Sequence, residues 1–125
     1  MDQITDICAS CGNELDIYSG DDGIAVPMMS IGAKGVISVA ANIIPSDVQK
    51  MCRAALDGDF ATAGEMQKRM YPLVKALFCE VNPIPVKTAA SLLGYGQCEF
   101  RLPLTTMEEA NFARLKAAMS EYGII

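Results

Sequence analysis

The sequence predicts an α/β unit that is followed by an all-helical segment. Over residues 1–43, stretches with helical spacing of apolar residues alternate with short strand-like runs, a pattern that implies parallel strands joined by crossover helices. After Pro45 the apolar residues recur only at helical spacing. We therefore expect an α/β part at 1–43 and a helical part at 44–125. The 125 residues, 51% of them hydrophobic, suit one domain or part of a larger one.

The α/β part begins with a predicted helix over 3–11, which is ended by Gly12-Asn13. Residues 15–18 then alternate like a strand. Ser19-Gly20-Asp21-Asp22 forms a tight loop, and both of its acids are expected to cap the next helix by accepting from free N–H groups of the first turn. That helix, over 24–31, is apolar nearly all round, which is typical of a helix pressed against a sheet.

A second strand is predicted over Val36-Ile37-Ser38-Val39, a run after Gly35 that is typical of a strand covered on both faces. Two strands cannot form such a covered sheet alone, because a two-stranded sheet is marginal in water and leaves its edges unpaired. The first third of the chain is therefore expected to be the end of a larger unit.

Four helices are predicted after Pro45. Two of them begin at capping boxes, Ser46-x-x-Gln49 and Thr105-x-x-Glu108. Another runs over 60–81 with Pro72 inside it, and a short one runs over 85–93. Their apolar stripes are predicted to face a common core: Val48, Met51, Cys52, Ala55, Ala63, Met66, Met70, Leu73, Val74, Leu77, Phe112, Leu115, Met119 and Tyr122.

Charge and composition exclude several classes of function. The net charge is −5, whereas a nucleic-acid binder needs a surplus of Lys and Arg on one face. The chain has no His, which removes the commonest general base and the commonest metal ligand. Any catalysis would have to use Lys, Tyr, Cys, Asp, Glu or the backbone.

The five cysteines are an odd number within helical patterns, which predicts free thiols in a reducing compartment. Cys8-x-x-Cys11 has the spacing of a redox pair or of half a zinc site. However, a zinc site needs four ligands, and a redox pair should open a helix rather than end one. We favour two small core residues here, and we expect neither a metal ion nor a cofactor.

A secretory leader and a membrane span are not predicted. Asp2 and Asp6 stand where a leader would carry basic residues. The apolar stretch Gly23–Pro45 is interrupted by Pro27 and Gly32, whereas a span needs about 20 uninterrupted apolar residues. We expect a soluble cytoplasmic protein without a membrane partner.

Two loops and the lysines are the candidate functional groups. The 19–22 loop follows a strand and opens a helix, the place where α/β folds bind ligands, although helix capping alone would also explain it. Gly35–Val39 could line a site through its backbone or be a core strand. A Schiff-base lysine must be desolvated, whereas a solvated surface is the simpler interpretation for the lysines of this chain: Lys34, Lys50, Lys68, Lys75, Lys87 and Lys116.

Seven segments together resemble the C-terminal part of the dihydrodipicolinate synthase family, in order and with matching spacing. Each segment is weakly specific, but the set is specific and covers essentially the whole chain. The segments are Ser19-Gly20-Asp21-Asp22, Gly35–Val39 with Ala41-Asn42, Met51–Ala55, Gly58–Ala61, Pro72-Leu73 with Lys75–Phe78, Asn82–Lys87 and Arg101–Leu104. The last two favour this family over the related N-acetylneuraminate lyases.

The resemblance implies a TIM (β/α) barrel followed by a small helical domain, with the two strands here as the seventh and eighth. It implies a lyase that joins pyruvate, held as a Schiff base on a lysine, to aspartate semialdehyde in lysine and diaminopimelate biosynthesis. The backbone at Gly20 and Ile37 would border pyruvate, and Asp21 would face the second substrate. The complete enzyme would be a homo-oligomer, a dimer or a tetramer.

The family's Schiff-base lysine and its proton-relay tyrosine belong upstream of this chain, so no residue here is expected to be catalytic. We therefore expect the chain to be inactive alone and to need the missing N-terminal half of the barrel. Two alternatives remain at this point: a non-enzymatic helical oligomerisation module, and another pyruvate-dependent lyase of the same superfamily.

Overall fold

The computed structural model describes residues 1–11 and 14–125. The predicted order of helix, strand, helix, strand and then helices is confirmed, while the predicted helix end at Gly12-Asn13 lies outside the described residues. Short 3-10 turns precede α2 and α3. The elements are α1 (Asp2–Cys11), β1 (Tyr18–Ser19), α2 (Ala25–Met29), β2 (Gly35–Val36), α3 (Pro45–Leu56), α4 (Phe60–Leu77), α5 (Ile84–Leu92) and α6 (Glu109–Tyr122).

The two strands pair in parallel, with Tyr18 opposite Gly35 and Ser19 opposite Val36. The Ile37 N–H extends the ladder by donating to the Ser19 carbonyl at 2.8 Å. The strand predicted over 36–39 forms only at its start, at Val36, and within the described residues it is not covered on both faces. β2 ends at Val36, and Ile37 is 73% exposed because no element of the described chain packs over it.

One core runs through both parts of the chain: α4 packs against α3 and α6, and buried residues of α2 join the same cluster. The predicted apolar stripes meet there, because residues three and four apart share one helix face. Cys52, Met66, Phe112 and Tyr122 are only partly buried. The largest fully buried apolar side chains of this core are Met51, Leu73, Leu77, Leu115 and Met119.

Neither predicted capping box forms. α3 begins one residue earlier, at Pro45, whose missing N–H suits the first position of a helix, and Ser46 lies exposed in the first turn. α6 begins at Glu109 without a cap from Thr105. Instead, Glu80 Oε1 accepts from the backbone N–H of Glu108 at 2.9 Å, so a distant carboxylate replaces the local one.

α1 forms as predicted but contributes no buried residue. Ile7, on its apolar face, is 44% exposed, and only Ile4 packs against the edge of the core. The expectation that Cys8 and Cys11 are core residues was wrong, because both thiols lie on a helix that little else covers. In the part of the chain that the structure describes, no helix has the length and apolar character needed to cross a membrane.

Candidate functional site

The carboxyl ends of β1 and β2 lie side by side, because the strands are parallel and in register. The loop 19–22 leaves β1, and residues 37–39 leave β2. The hydrogen bond from the Ile37 N–H to the Ser19 carbonyl places Ile37 next to Gly20. Both residues are exposed, as is Asp21. The structure thus brings the sequence-predicted site residues to one open edge of the sheet.

The first loop is held by its own side chains. Ser19 is fully buried, and its hydroxyl donates to the Asp21 carbonyl at 2.7 Å and accepts from the Asp21 N–H at 3.1 Å. Asp21 Oδ1 accepts from the Gly23 N–H at 2.7 Å, so Asp21 caps the following turn as predicted. Its carboxylate remains at the surface of the site.

Asp22 behaves differently from its neighbour and was not predicted as a site residue. It is only 6% exposed, and its carboxylate reaches across to the segment that follows β2. Oδ2 accepts from the N–H groups of Val39 at 2.9 Å and Ala40 at 3.3 Å, and Oδ1 accepts from the Ser38 hydroxyl. The expectation that both acids cap the next helix was therefore wrong for Asp22. A buried carboxylate needs such donors, because an unpaired one is strongly destabilising.

A second side chain ties the helical part to this loop. Gln67, on α4, donates from Nε2 to the Gly23 carbonyl at 2.6 Å and accepts at Oε1 from the Val26 N–H at 2.7 Å. The two backbone groups belong to the short helical turns that follow the 19–22 loop. The sequence pattern did not predict Gln67, because a polar residue on a helix is normally assigned to its solvated face.

Two grooves flank Tyr71, one on each side. The first has a volume of about 460 Å³ and opens beside Gly20 and Asp21, so it is continuous with the candidate site. The second has a volume of about 520 Å³, lies between α2 and α4, and is mainly apolar. The first groove is walled by Gly23, Ile24, Tyr71, Val74, Lys75 and Phe78. Val26, Pro27, Phe60 and Gly64 line the second.

Lys75 borders the groove beside Gly20 and Asp21, but its side chain is exposed. Lys34 precedes β2 and so lies at the opposite end of the strand from Ile37. Every lysine in the chain is exposed, so none has the desolvated setting that a Schiff-base amine requires. Lys68 pairs with Glu65 at 2.5 Å, and Lys87 lies 5.1 Å above the Phe100 ring.

The thiol nearest the site is not set up as a nucleophile. Burial raises the pKa of Cys52, helped by the nearby Asp22 charge and opposed by a hydrogen bond with the Val36 backbone. At neutral pH this thiol stays protonated, and the thiolate is the reactive form. Among residues 1–11 and 14–125, no three His, Cys, Asp or Glu side chains group closely enough to hold a metal ion.

Comparison with known proteins identifies the family. A model of the dihydrodipicolinate synthetase family matches residues 1–122. The chain belongs to this family. It is 48% identical to the 4-hydroxy-tetrahydrodipicolinate synthase of Aquifex aeolicus. The alignment of 124 residues covers 99% of this chain and 42% of that protein. This chain thus spans about 42% of the length of that relative.

Solved structures of family members share its fold. The crystal structure of dihydrodipicolinate synthase from Aquifex aeolicus matches with a TM-score of 0.96 and 47% identity, over 98% of this chain and 42% of that one. The structure of the chloride-inhibited Acinetobacter baumannii synthase in complex with pyruvate matches with a TM-score of 0.95 and 36% identity, over 99% of this chain and 43% of that one. The arrangement of the strands and helices is therefore that of the family.

Proposed function

We propose that this chain forms the C-terminal part of a 4-hydroxy-tetrahydrodipicolinate synthase, the lyase that condenses pyruvate with aspartate semialdehyde in lysine and diaminopimelate biosynthesis. The observation that carries the proposal is the family match over residues 1–122. The open strand ends that hold Gly20 beside Ile37 support it, because ligands of (β/α) barrels bind at the carboxyl ends of strands.

In this proposal, residues 1–43 supply the last two strands of a TIM (β/α) barrel and residues 44–125 form the helical domain. The parallel strand pair supports this assignment, because Tyr18 and Ile37 expose apolar surface that further strands and helices would cover. The missing N-terminal half of the barrel is then the first partner of this chain.

Pyruvate is proposed to bind against the backbone at Gly20 and Ile37, with Asp21 facing the second substrate. A Cβ added at Gly20 would meet nothing within 4 Å, so a small ligand can approach this backbone closely. The Asp21 carboxylate lies at the mouth of the groove walled by α4.

The reacting amine is proposed to come from the upstream segment. That amine adds to C2 of pyruvate and water leaves, which forms the imine. Loss of a proton from C3 gives an enamine, whose C3 bonds to the aldehyde carbon while the aldehyde oxygen takes up a proton. The amino group of the aldehyde substrate then adds to the imine carbon and displaces the lysine, which closes the ring of the product. The lysines of this chain, including Lys75 at the groove, are exposed and lack the desolvated setting that favours this step.

Borohydride trapping tests the proposal. The isolated chain, incubated with pyruvate and borohydride, should gain no adduct by mass spectrometry. The completed protein is made by placing the part of the Aquifex aeolicus synthase that this chain does not cover in front of it. It should gain one reduced pyruvate on an upstream lysine and turn over both substrates. An adduct on a lysine of this chain, or a folded fusion without turnover, would contradict the proposal.

A substitution at Gly20 tests where pyruvate binds. In the completed protein, Gly20→Val should raise the KM for pyruvate at least tenfold while leaving the fold intact, since a Cβ at this position meets nothing within 4 Å. Gly64→Ala is the matched control, because Gly64 is equally unobstructed but lies on α4 beside the apolar groove. An unchanged KM in Gly20→Val would place pyruvate elsewhere.

A non-enzymatic helical module is the second candidate function, favoured by the large side chains that are fully buried on α3, α4 and α6. Residues 43–125 prepared alone should then melt cooperatively by circular dichroism. A featureless melt would remove this candidate. Another pyruvate-dependent lyase is the third, and turnover of other aldehydes in preference to aspartate semialdehyde by the completed protein would favour it.

We further propose that the completed protein is a cytoplasmic homo-oligomer, a dimer or a tetramer, without nucleic-acid or membrane partners. The apolar groove between α2 and α4 supports association, because aromatic surface of this kind is usually covered in assemblies. The net charge of −5 supports the absence of a nucleic-acid partner. Sedimentation of the completed protein measures its oligomeric state.

A further inference from the structure

We infer that Asp22 is a positioning residue of the proposed pyruvate site, which sets the separation between the Gly20 and Ile37 backbones. Asp22 follows Gly20 by two positions, and the groups that it binds begin directly after Ile37. The inference rests on the proposed function, and it adds a residue that acts on the site without contacting the substrate.

The strand pairing alone holds the two site segments weakly. The ladder consists of two residue pairs and ends with the bond from the Ile37 N–H to the Ser19 carbonyl. Beyond that bond, the hydrogen bonds that join 20–24 to 37–42 are those of the Asp22 carboxylate. The Asp22 carboxylate thus connects the two backbone segments, 20–24 and 37–42, at the place where pyruvate is proposed to bind.

The Asp22 network is complete. Each carboxylate oxygen accepts at least one hydrogen bond, and the Ser38 hydroxyl that donates to Oδ1 also accepts from the Ala41 N–H at 2.8 Å. The carboxylate also lies at the start of the 3-10 turn Ala40–Asn42, where negative charge is favourable. A network that satisfies all its members holds one geometry, whereas removing one acceptor releases several donors together.

Burial decides between positioning and direct contact. Asp22 is 6% exposed, so its side chain is unavailable to a ligand, whereas the neighbouring Asp21 is exposed. Asp22 must therefore act through the backbone that it holds. Small displacements of binding groups reduce catalytic efficiency strongly, because the reacting atoms need near-contact geometry.

The test compares Asp22→Asn with Asp59→Asn in the completed protein described above. Asn keeps the shape of Asp, but its NH₂ group cannot accept from a backbone N–H or from the Ser38 hydroxyl. Asp59 is the matched control, because its carboxylate also accepts a backbone N–H, that of Thr62 at 3.0 Å, at the start of α4. Both substitutions should lower the melting temperature.

The KM for pyruvate separates the two variants. Asp22→Asn should raise the KM for pyruvate roughly tenfold, because it displaces the Gly20 and Ile37 backbones. The KM for the aldehyde should rise less, because Asp21 is also held by its own hydrogen bonds with Ser19 and Gly23. Asp59→Asn should leave both KM values unchanged. If Asp22→Asn does not fold, Ser38→Ala removes one donor of the network, and it should raise the same KM by about threefold.

The experiments distinguish a failure of the proposed function from a failure of the positioning role of Asp22. A wild-type completed protein that folds but neither traps nor turns over pyruvate would overturn the proposed function. A wild-type protein that is active, together with a folded Asp22→Asn variant whose KM for pyruvate is unchanged, would overturn only the positioning role. An unchanged KM in Ser38→Ala, where Asp22→Asn fails to fold, would also overturn it.

Discussion

The two parts of this chain differ in how much of their apolar surface the chain itself buries. Residues 44–125 bury Met51, Leu73, Leu77, Leu115 and Met119 fully among α3, α4 and α6. Residues 1–43 add the buried helix α2 to the same core, but they also contain a helix without a buried residue and a strand pair with exposed apolar side chains. The difference teaches that α2 is organised by its contacts with the helical part, whereas α1 and the strand pair leave apolar surface that this chain does not cover.

The two parts are nevertheless joined through side chains rather than through a shared sheet. α2 packs against α3 and α4, and Gln67 on α4 binds the backbone of Gly23, in the turn before α2, and that of Val26, in α2. Asp22 performs the corresponding task within the first part. The proposed substrate loop is therefore held from the helical side and from the strand side.

The largest expected effect tests the difference in core packing. Leu77→Ala should lower the free energy of unfolding of the chain by about 3 kcal/mol, because Leu77 is fully buried and the substitution leaves a cavity. Ile37→Ala should change it by less than about 0.5 kcal/mol, since Ile37 is 73% exposed. Urea denaturation measures both free energies of unfolding. Equal losses in the two variants would contradict the difference in packing between the two parts of the chain.

The connection between the parts is tested at Gln67. Gln67→Ala should cost about 2 kcal/mol, because it leaves the Gly23 carbonyl and the Val26 N–H without partners at a partly buried position. Gln49→Ala, on the exposed face of α3, is the control and should be nearly neutral. If the two variants unfold at the same urea concentration, Gln67 does not connect the parts energetically.

A smaller effect is expected within the helical part, at the start of α6. Glu80→Ala should cost about 1 kcal/mol, because Glu80 replaces a local cap by accepting from the Glu108 N–H and from Asn111 Nδ2, both at 2.9 Å. Glu65→Ala removes an exposed carboxylate that pairs with Lys68 and should cost less than about 0.5 kcal/mol. Thermal melts that rank these two variants in the opposite order would show that α6 does not depend on this cap.

The smallest change in the free energy of unfolding at neutral pH is expected for substitution of Tyr122. Its contribution to stability is measured through the dependence of stability on alkaline pH. Burial, together with a hydrogen bond donated to Asp47 Oδ2 at 2.5 Å, raises the pKa of Tyr122 from its ordinary value near 10 to about 12. The folded state then keeps a proton that the unfolded state has lost, so stability should fall as the pH rises from 10 to 12.

Tyr122→Phe should cost about 1 kcal/mol or less at pH 7 and should flatten the alkaline decline, because Phe has no proton to lose. Urea titrations of both proteins between neutral and alkaline pH measure the difference. Parallel stability curves over the whole range would contradict the assignment.

Periodicity predicted the helices and most of the core well, because a helix face depends on spacing within one segment. Leu73, Leu77, Leu115 and Met119 all lie where that spacing placed them. The same local logic failed at the helix starts. The capping partner of α6 is Glu80, which lies 28 residues before the N–H that it binds, and no local pattern contains that relation.

The candidate site was predicted in part. Gly20 and Ile37 were named together through the family resemblance, and the parallel strands, which bring their carboxyl ends together, account for their proximity in the structure. The sequence did not predict that Asp21 is exposed and Asp22 is buried. Adjacent side chains point in different directions, and only the folded structure shows which one is buried. The roles of Gly20, Ile37 and Asp21 toward substrates remain predictions.

The parallel pairing of Tyr18–Ser19 with Gly35–Val36 has a consequence for the life of this chain in a cell. Within the described residues each strand has one partner, so each keeps a free edge of backbone donors and acceptors. Such edges can pair with strands of other molecules, and the exposed side chain of Ile37 adds apolar surface beside them. Produced without its upstream partner, the chain should become a client of chaperones and proteases, and its abundance should rise when the complementary segment is made alongside it.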